Sequence, residues 1–306
     1  MLIYSLIDNT NFFIMKLAIN LIFIFKALLN HGLWKKKRLI PLLRFIRLQL
    51  IFALGEKKIC LEWFERIYLS IEKGDTGLTG NYYFGLHEFY DMGFLIHSLK
   101  EKDTFLDVGS NLGSYSLLAS GLCKCSSIAY EPVPNTFSKL IKNINIQEFR
   151  ERIIAKKIAL TSIEFSDDEV LFSTDQGCCN SVVDEKYQGD KELVTVSNLD
   201  KETENIALNL LKIDVEGFEN MVLRGAENLL NKSSLFAIII EGQTEEVNNL
   251  IRSKGFTDYN YSPLDRKLIP HQKVESNRIW IRDSRLKDVK KRIQNAPVRR
   301  IYGQEI

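Results

Sequence analysis

Length, composition and charge are those of an ordinary soluble protein and exclude a disulfide-stapled or zinc-finger chain. The 306 residues can form one large α/β domain with an accessory segment, and 45% are hydrophobic. The net charge of +2 hides basic clusters at both ends of the chain. The five cysteines have neither the spacing of a zinc site nor that of a disulfide framework. We therefore expect no metal and a cytoplasmic location.

The apolar stretch of residues 11–33 predicts an amphipathic helix. At about 100° per residue its polar positions fall within an arc of roughly 120°. They are Lys16, Asn20, Lys26 and Asn30. The acidic Asp8 precedes the run and no small-residue cleavage site follows it, which argues against a signal peptide. Three placements stay open: packed on the following domain, lying in a membrane interface as a peripheral contact, or spanning the membrane.

The sequence after residue 33 suggests how the chain divides into three segments. A second apolar stretch covers residues 39–54, and residues 57–73 predict a helix because large apolar residues recur there at core-like spacing. Glycines 74, 77 and 80 then mark loops. We expect an N-terminal amphipathic and helical segment over residues 1–73, a main domain over 74–284 and a basic tail over 285–306.

The centre of the chain carries a strand, a glycine-bearing turn and a helix. The strand ends at Asp107-Val108, the turn runs from Gly109 to Gly113, and the helix starts near Ser114. A helix start offers unpaired N–H groups, and glycines let a ligand approach the backbone closely. Ser110 and Asn111 stand where dinucleotide sites have their middle glycine. The turn therefore fits a nucleoside without phosphates better than a pyrophosphate.

Glu131 is the second candidate residue. It follows a predicted strand over residues 127–130 and lies about twenty positions beyond the turn, where such folds hydrogen-bond ribose hydroxyls. The alternative is that Asp107 and Glu131 are polar residues at strand ends that face water.

The remaining pattern alternates strands and helices. Strands are predicted over residues 153–160, 208–213, 235–240, 256–261 and 278–281, with helices over 220–231 and 244–254 and Asn135 as a helix cap. This alternation predicts an α/β fold with a doubly wound, mostly parallel sheet of seven strands.

Three motifs, in this order, resemble the FkbM family of S-adenosylmethionine-dependent methyltransferases. They are D-V-G-S-N-L-G-S-Y, Y-E-P-V-P-N-T-F and L-K-I-D-V-E-G-F-E, within residues 77–282. The resemblance implies a Rossmann-like methyltransferase sheet, S-adenosylmethionine as cofactor, and an acceptor hydroxyl on a sugar, glycan or secondary metabolite. It places Gly109, Ser110, Asn111 and Gly113 around the methionine portion and Glu131 at the ribose, with Asp107 beside them.

Asp214 and Glu216 are the candidates for the catalytic base or for orienting the acceptor. Two carboxylates so close in sequence could instead bind a divalent cation or hold backbone N–H groups of their loop. His87 and Glu88 stay open between a role at the substrate and a structural one.

Three other readings compete with a methyltransferase on a free sugar or glycan. They are a non-catalytic recognition module, a membrane-associated enzyme acting on a lipid-linked saccharide, and an oxidoreductase, which the missing glycine disfavours. No base-flipping motif indicates nucleic acid as a partner.

Overall fold

The computed structural model describes residues 26, 29–34, 39–75, 77–162, 169–174, 182–241, 244–270 and 277–306. Most of the predicted helix over residues 11–33 lies outside these ranges. Within them, no helix is long and apolar enough to cross a bilayer.

The helices are α1 Leu39–Ala53, α2 Thr79–Phe84, α3 Phe89–Ser98, α4 Ser114–Leu122, α5 Pro134–Asn145, α6 Leu199–Glu202, α7 Glu219–Arg224, α8 Glu227–Asn231, α9 Glu245–Ser253 and α10 Leu286–Gln294. The strands are β1 Lys58–Phe64, β2 Ile67–Glu72, β3 Thr104–Val108, β4 Ser126–Tyr130, β5 Ile153–Lys156, β6 Ala159–Leu160, β7 Glu169–Ser173, β8 Lys191–Ser197, β9 Leu210–Ile213, β10 Ala237–Ile240, β11 Phe256–Ser262, β12 Lys267–Pro270, β13 Arg278–Arg282, β14 Arg300–Ile301 and β15 Gln304–Glu305.

A large central sheet organises the described residues. Its strand order is β12-β11-β13-β10-β9-β3-β4-β5. The five strands from β10 to β5 are parallel, while β13, β11 and β12 add an antiparallel edge. The predicted doubly wound α/β sheet is confirmed, with eight strands instead of seven. The additional strand, β12, pairs with β11 as a hairpin that the sequence pattern did not reveal.

Both faces of the sheet are buried at its central strands. Neighbouring residues of one strand point to opposite sides, so Phe105 and Leu210 pack in one core while Leu106 and Leu211 pack in the other. The first core is covered by α3, α4, α5 and α10, and the second by α7, α8 and α9. This two-sided burial explains why β9 and β10 are apolar runs with few interruptions.

Several local predictions were wrong. Residues 57–73 form the β1–β2 hairpin and not a helix. The strand predicted over residues 153–160 is two short strands, since β5 joins the central sheet and β6 pairs with β8. The helix predicted over residues 220–231 is broken between α7 and α8. Asn135 is not a cap, because α5 begins at Pro134 and Val133 is its N-cap residue.

The segments at both ends of the chain pack on the same core. Phe45 of α1 and Trp63 of β1 are buried with the sheet residues. At the other end, Val289 and Ile293 of α10 and Ile301 of β14 join the same cluster. The boundaries near residues 74 and 284 remain predictions.

Candidate active site

A cavity of about 380 Å³ lies at the carboxyl ends of β3, β4, β9 and β10. The strand order reverses between β3 and β9, and open α/β sheets bind ligands at such a point. Seven of the eight predicted site residues line the cavity: Asp107, Gly109, Ser110, Asn111, Glu131, Asp214 and Glu216. The eighth, Gly113, is the N-cap residue of α4 with a φ of 91°.

The turn after β3 is held by its neighbours. The amides of Gly109 and Ser110 both donate to the carbonyl oxygen of Tyr130, over 3.0 and 2.9 Å. Gly109 has a φ of 76°, and a Cβ there would overlap the carbonyl oxygen of Asp214. Glycine is therefore required because the loop after β9 passes against this turn, a reason different from the ligand approach predicted from the sequence. Asn111 also has a positive φ, of 50°.

Asp107 leaves one oxygen available inside the site. Its Oδ2 accepts from the backbone N and the Oγ of Ser116, over 3.1 and 2.7 Å. Its buried Oδ1 has no partner among the described residues, and neither has the Oγ of Ser110. Burial raises the pKa of Asp107, while Lys212 and Ser116 oppose that effect. Buried polar atoms of this kind need a partner, so their presence fits a polar ligand.

Glu131 is fixed by two backbone amides. Its Oε2 accepts from the N of Asn111 and its Oε1 from the N of Val133, each over 3.0 Å. Burial raises the pKa of Glu131 to about 7, although these two hydrogen bonds oppose the shift. A carboxylate has about four lone-pair positions, so roughly two stay free for further donors. The alternative of a water-facing strand end does not fit, because the residue is only 6% exposed.

Lys212 and Asp214 form an ion pair at the floor of the cavity. The Nζ of Lys212 lies 2.7 Å from the Oδ2 of Asp214, and Lys212 is only 3% exposed. Burial opposes ionisation of both groups. The attraction between them nevertheless lowers the pKa of Asp214 and raises that of Lys212. Lys212 also lies 4.6 Å from the centre of the Tyr115 ring.

Glu216 and Glu219 differ in role. Glu216 is exposed, has a φ of 51°, and has a raised pKa because of partial burial and the nearby charge of Asp214. Glu219 is buried, and its Oε1 accepts from the backbone N of Gly217 over 3.1 Å. Glu219 is therefore the carboxylate seen to hold backbone N–H groups of this loop.

Several other residues that line the cavity were assigned no definite role from the sequence. Glu241 follows β10, and a hydrogen bond to Asp214 together with burial raises its pKa to about 8. Its position after a predicted strand groups it with Asp107, Glu131 and Asp214 at one edge of the sheet, although the sequence assigned it no role. Asn81 gave no such signal: it lies in α2, where its Oδ1 accepts from the N of His87 over 3.0 Å. Both His87 and Glu88 line the cavity.

The segment before His87 is held by side chains from outside the central sheet. Four carbonyl groups between residues 82 and 86 each accept a side-chain N–H. The pairs are Arg44 Nε with Tyr82 O at 2.7 Å, Trp34 Nε1 with Phe84 O at 2.7 Å, Trp63 Nε1 with Gly85 O at 2.6 Å and His31 Nε2 with Leu86 O at 2.7 Å. These contacts fix the backbone that leads into His87 and Glu88.

Metal binding gains no support from the carboxylates. Within the ranges that the structure describes, no group of three or more His, Cys, Asp and Glu residues is arranged to hold a metal ion.

Comparison with known proteins identifies the central segment. Residues 107–257 match the family model for the methyltransferase FkbM domain. Over 149 residues the chain is 30% identical to the hexuronic acid methyltransferase AglP of Haloferax volcanii, a match covering 48% of this chain and 59% of AglP. It is 24% identical over 193 residues to methyltransferase 1 of Beauveria bassiana, covering 55% and 78% of the two chains.

Among solved structures, the crystal structure of a methyltransferase FkbM from Methylobacillus flagellatus aligns with a TM-score of 0.44 at 14% identity. The alignment covers 68% of this chain and 55% of that one. The chain thus spans somewhat more than half the length of AglP and of this crystallised protein. Residues 107–257, which contain the three motifs and most of the cavity lining, are therefore identified as a methyltransferase FkbM domain.

Proposed function

We propose that this protein is an S-adenosylmethionine-dependent O-methyltransferase that acts on a sugar hydroxyl in the cytoplasm. One observation carries the proposal: the anchored carboxylate of Glu131, the turn after β3 and the Asp214 ion pair line a single cavity. The relative AglP bears the name hexuronic acid methyltransferase, which supports a sugar as acceptor.

The residues present fit the cofactor. The free lone pairs of Glu131 suit the two ribose hydroxyls, because a carboxylate held by backbone amides is already oriented. The turn from Gly109 to Gly113 would surround the methionine portion, where Ser110 Oγ and Asp107 Oδ1 lack partners among the described residues. The bound cofactor would supply an electrophilic methyl group on a sulfonium.

Asp214 and Glu216 would divide the work on the acceptor. Lys212 keeps Asp214 ionised. Asp214 would therefore receive a hydrogen bond from the hydroxyl group of the substrate and orient it. Glu216 has a raised pKa and is the stronger base of the two. Glu216 would therefore accept the proton of the acceptor hydroxyl as that oxygen takes up the methyl group.

The first test is calorimetric titration with S-adenosylmethionine and S-adenosylhomocysteine, with NADH as the control ligand. We expect binding of the first two only. Glu131→Ala should abolish it, while Glu148→Ala, at a side chain that is 76% exposed, should leave it unchanged. Full cofactor affinity in the Glu131 variant would contradict the ribose assignment.

The second test is methyl transfer to hexuronic acid acceptors. We expect Glu216→Gln to lower kcat and to remove the basic group from the pH–rate profile, while Asp214→Asn mainly raises the KM for the acceptor. The reverse pattern would assign the base to Asp214.

A further inference from the structure

The outer face of α1 is apolar and exposed. Its exposed leucine and isoleucine residues recur at helical spacing and, at about 100° per residue, fall within an arc of roughly 80°. They are Leu39 at 70%, Leu43 at 63%, Ile46 at 40%, Leu50 at 58% and, just past the helix end, Leu54 at 86% exposed. We call these five residues the outer stripe. The opposite face packs on the core through Pro41, Phe45, Leu48 and Phe52.

A second apolar face is not needed to fold α1. A surface helix of a globular protein usually has one apolar stripe toward the core and polar residues opposite. Exposed leucines elsewhere are not in a helical row: Leu193 lies in β8 and Leu264 in the turn between β11 and β12. A contiguous exposed patch marks a surface that binds something.

The basic residues around the outer stripe indicate which kind of partner it can bind. From residue 35 to residue 58 the sequence has eight basic residues and one acidic residue, Glu56; one of the eight, Arg44, is engaged with Tyr82 and Tyr302 instead of facing outward. Arg47 flanks the outer stripe and is exposed, as are Lys57 and Lys58 just beyond the helix. An apolar stripe with basic flanks matches an anionic lipid surface, in which the leucines enter the interface and the cations meet headgroups. A second copy of the same surface would bring like charges together.

We propose that the outer stripe of α1 binds the surface of an anionic lipid bilayer, with the helix lying parallel to the membrane plane. The helix has 15 residues and is about 22 Å long, shorter than the roughly 30 Å hydrocarbon core that a spanning helix must cross. Contact is therefore peripheral. It uses residues other than the predicted helix over residues 11–33.

The stripe is one helix away from the cavity. Phe45 packs edge-on against Tyr83 of α2 at 5.3 Å between ring centres, and Asn81 of the same helix lines the cavity. Membrane contact through α1 would hold the cavity close to the headgroups. The proposed lipid contact does not depend on the proposed function. That the methyl acceptor is carried on a lipid follows from this contact only if the proposed function also holds.

The test is cosedimentation of the full chain with vesicles of phosphatidylcholine alone or with about a quarter phosphatidylglycerol. We expect binding to the anionic vesicles, and weaker binding at high salt. Leu43→Ser with Leu50→Ser should weaken it by about tenfold or more, because two leucines leave the interface. The matched control, Leu193→Ser with Leu264→Ser, removes equally exposed leucines elsewhere and should bind as the unchanged protein does.

Several outcomes would overturn the proposal. The unchanged chain could fail to bind anionic vesicles. Both double variants could bind equally well. Light scattering without vesicles could show an assembly that the Leu43 and Leu50 changes dissociate, which would make the stripe a self-association surface.

Two further measurements keep these results interpretable. If the double variant does not fold, hydrogen exchange of residues 39–54 in the unchanged chain decides: protection by anionic vesicles supports the proposal, and no change overturns it. Titration with S-adenosylmethionine on the same samples tests the proposed function separately, because the stripe does not line the cavity.

Discussion

The raised pKa of Glu131 predicts an unusual dependence of stability on pH. The pKa is about 7 in the folded chain and 4.5 is its ordinary value. Below pH 4.5 the group is protonated in both the folded and the unfolded chain and costs nothing. As pH rises from 4.5 to 7, the unfolded chain ionises first, so the folded state loses stability relative to it. At about 1.4 kcal/mol per pH unit, the loss is ~3 kcal/mol above pH 7.

Glu131→Gln isolates this contribution because glutamine has the same shape and cannot ionise. Its amide also loses one backbone hydrogen bond, but that cost is the same at every pH. We expect the free energy of unfolding of the variant to rise relative to the unchanged protein by ~3 kcal/mol between pH 4.5 and pH 8. Urea unfolding of the cofactor-free proteins across this range measures it. A difference that stays flat, or that falls as pH rises, would refute the burial argument.

Three further predictions concern the surroundings of the cavity. Gly109→Ala should prevent stable folding or cost several kcal/mol, measured by thermal unfolding, because its Cβ overlaps the carbonyl oxygen of Asp214. Trp63→Phe should cost about 1–3 kcal/mol in urea unfolding, because it leaves the Gly85 carbonyl without its donor, and should raise the KM for the acceptor but not for the cofactor. Lys212→Met should cost ~3 kcal/mol at pH 7 and less at pH 5, because Asp214 takes up a proton there.

The chain supplies matched controls for two of these variants. Gly55 also has a positive φ, of 103°, but no atom lies within 4 Å of the position of its Cβ, so Gly55→Ala measures the backbone strain alone. Trp280 is fully buried and its Nε1 has no partner among the described residues, so Trp280→Phe measures loss of indole volume without loss of a hydrogen bond. If Gly109→Ala or Trp63→Phe lowered stability no more than its control, the predicted overlap or lost hydrogen bond would be contradicted. For Lys212→Met, an equal loss of stability at pH 7 and pH 5 would contradict the argument from the ion pair.

The sheet and most of the cavity lining could be predicted because each rests on a local pattern. Strands buried on both faces are apolar runs, and the carboxyl ends of parallel strands meet at one edge. Asp107 lies at the end of such a run, and Glu131 and Asp214 directly follow one, so their convergence required no knowledge of distant contacts.

The β1–β2 hairpin was missed because its turn lacks the usual signal. Two-residue hairpin turns with positive φ normally contain glycine or asparagine. Here the turn is Glu65-Arg66, with φ values of 47° and 63°. The apolar residues flanking it also fit a helical spacing, and only their pairing across the hairpin decides for strands.

Other errors came from contacts between segments far apart in sequence. The need for glycine at position 109 comes from the loop after β9, more than a hundred residues later. Likewise, no pattern near Asn81 indicates that it would accept from His87 and line the cavity. Local periodicity carries no information about such pairs.

The four hydrogen-bonded carbonyl groups between residues 82 and 86 limit which segments of this protein can be transferred to another scaffold. Their donors lie between residues 31 and 63, outside residues 107–257 that match the family. Arg44 also reaches the C-terminal hairpin, because its Nη2 donates to the hydroxyl of Tyr302 over 2.7 Å. A chimera that grafts only the family-matched segment onto another scaffold would leave this frame behind. Exchanges of acceptor specificity should therefore transfer residues 31–306 as a unit.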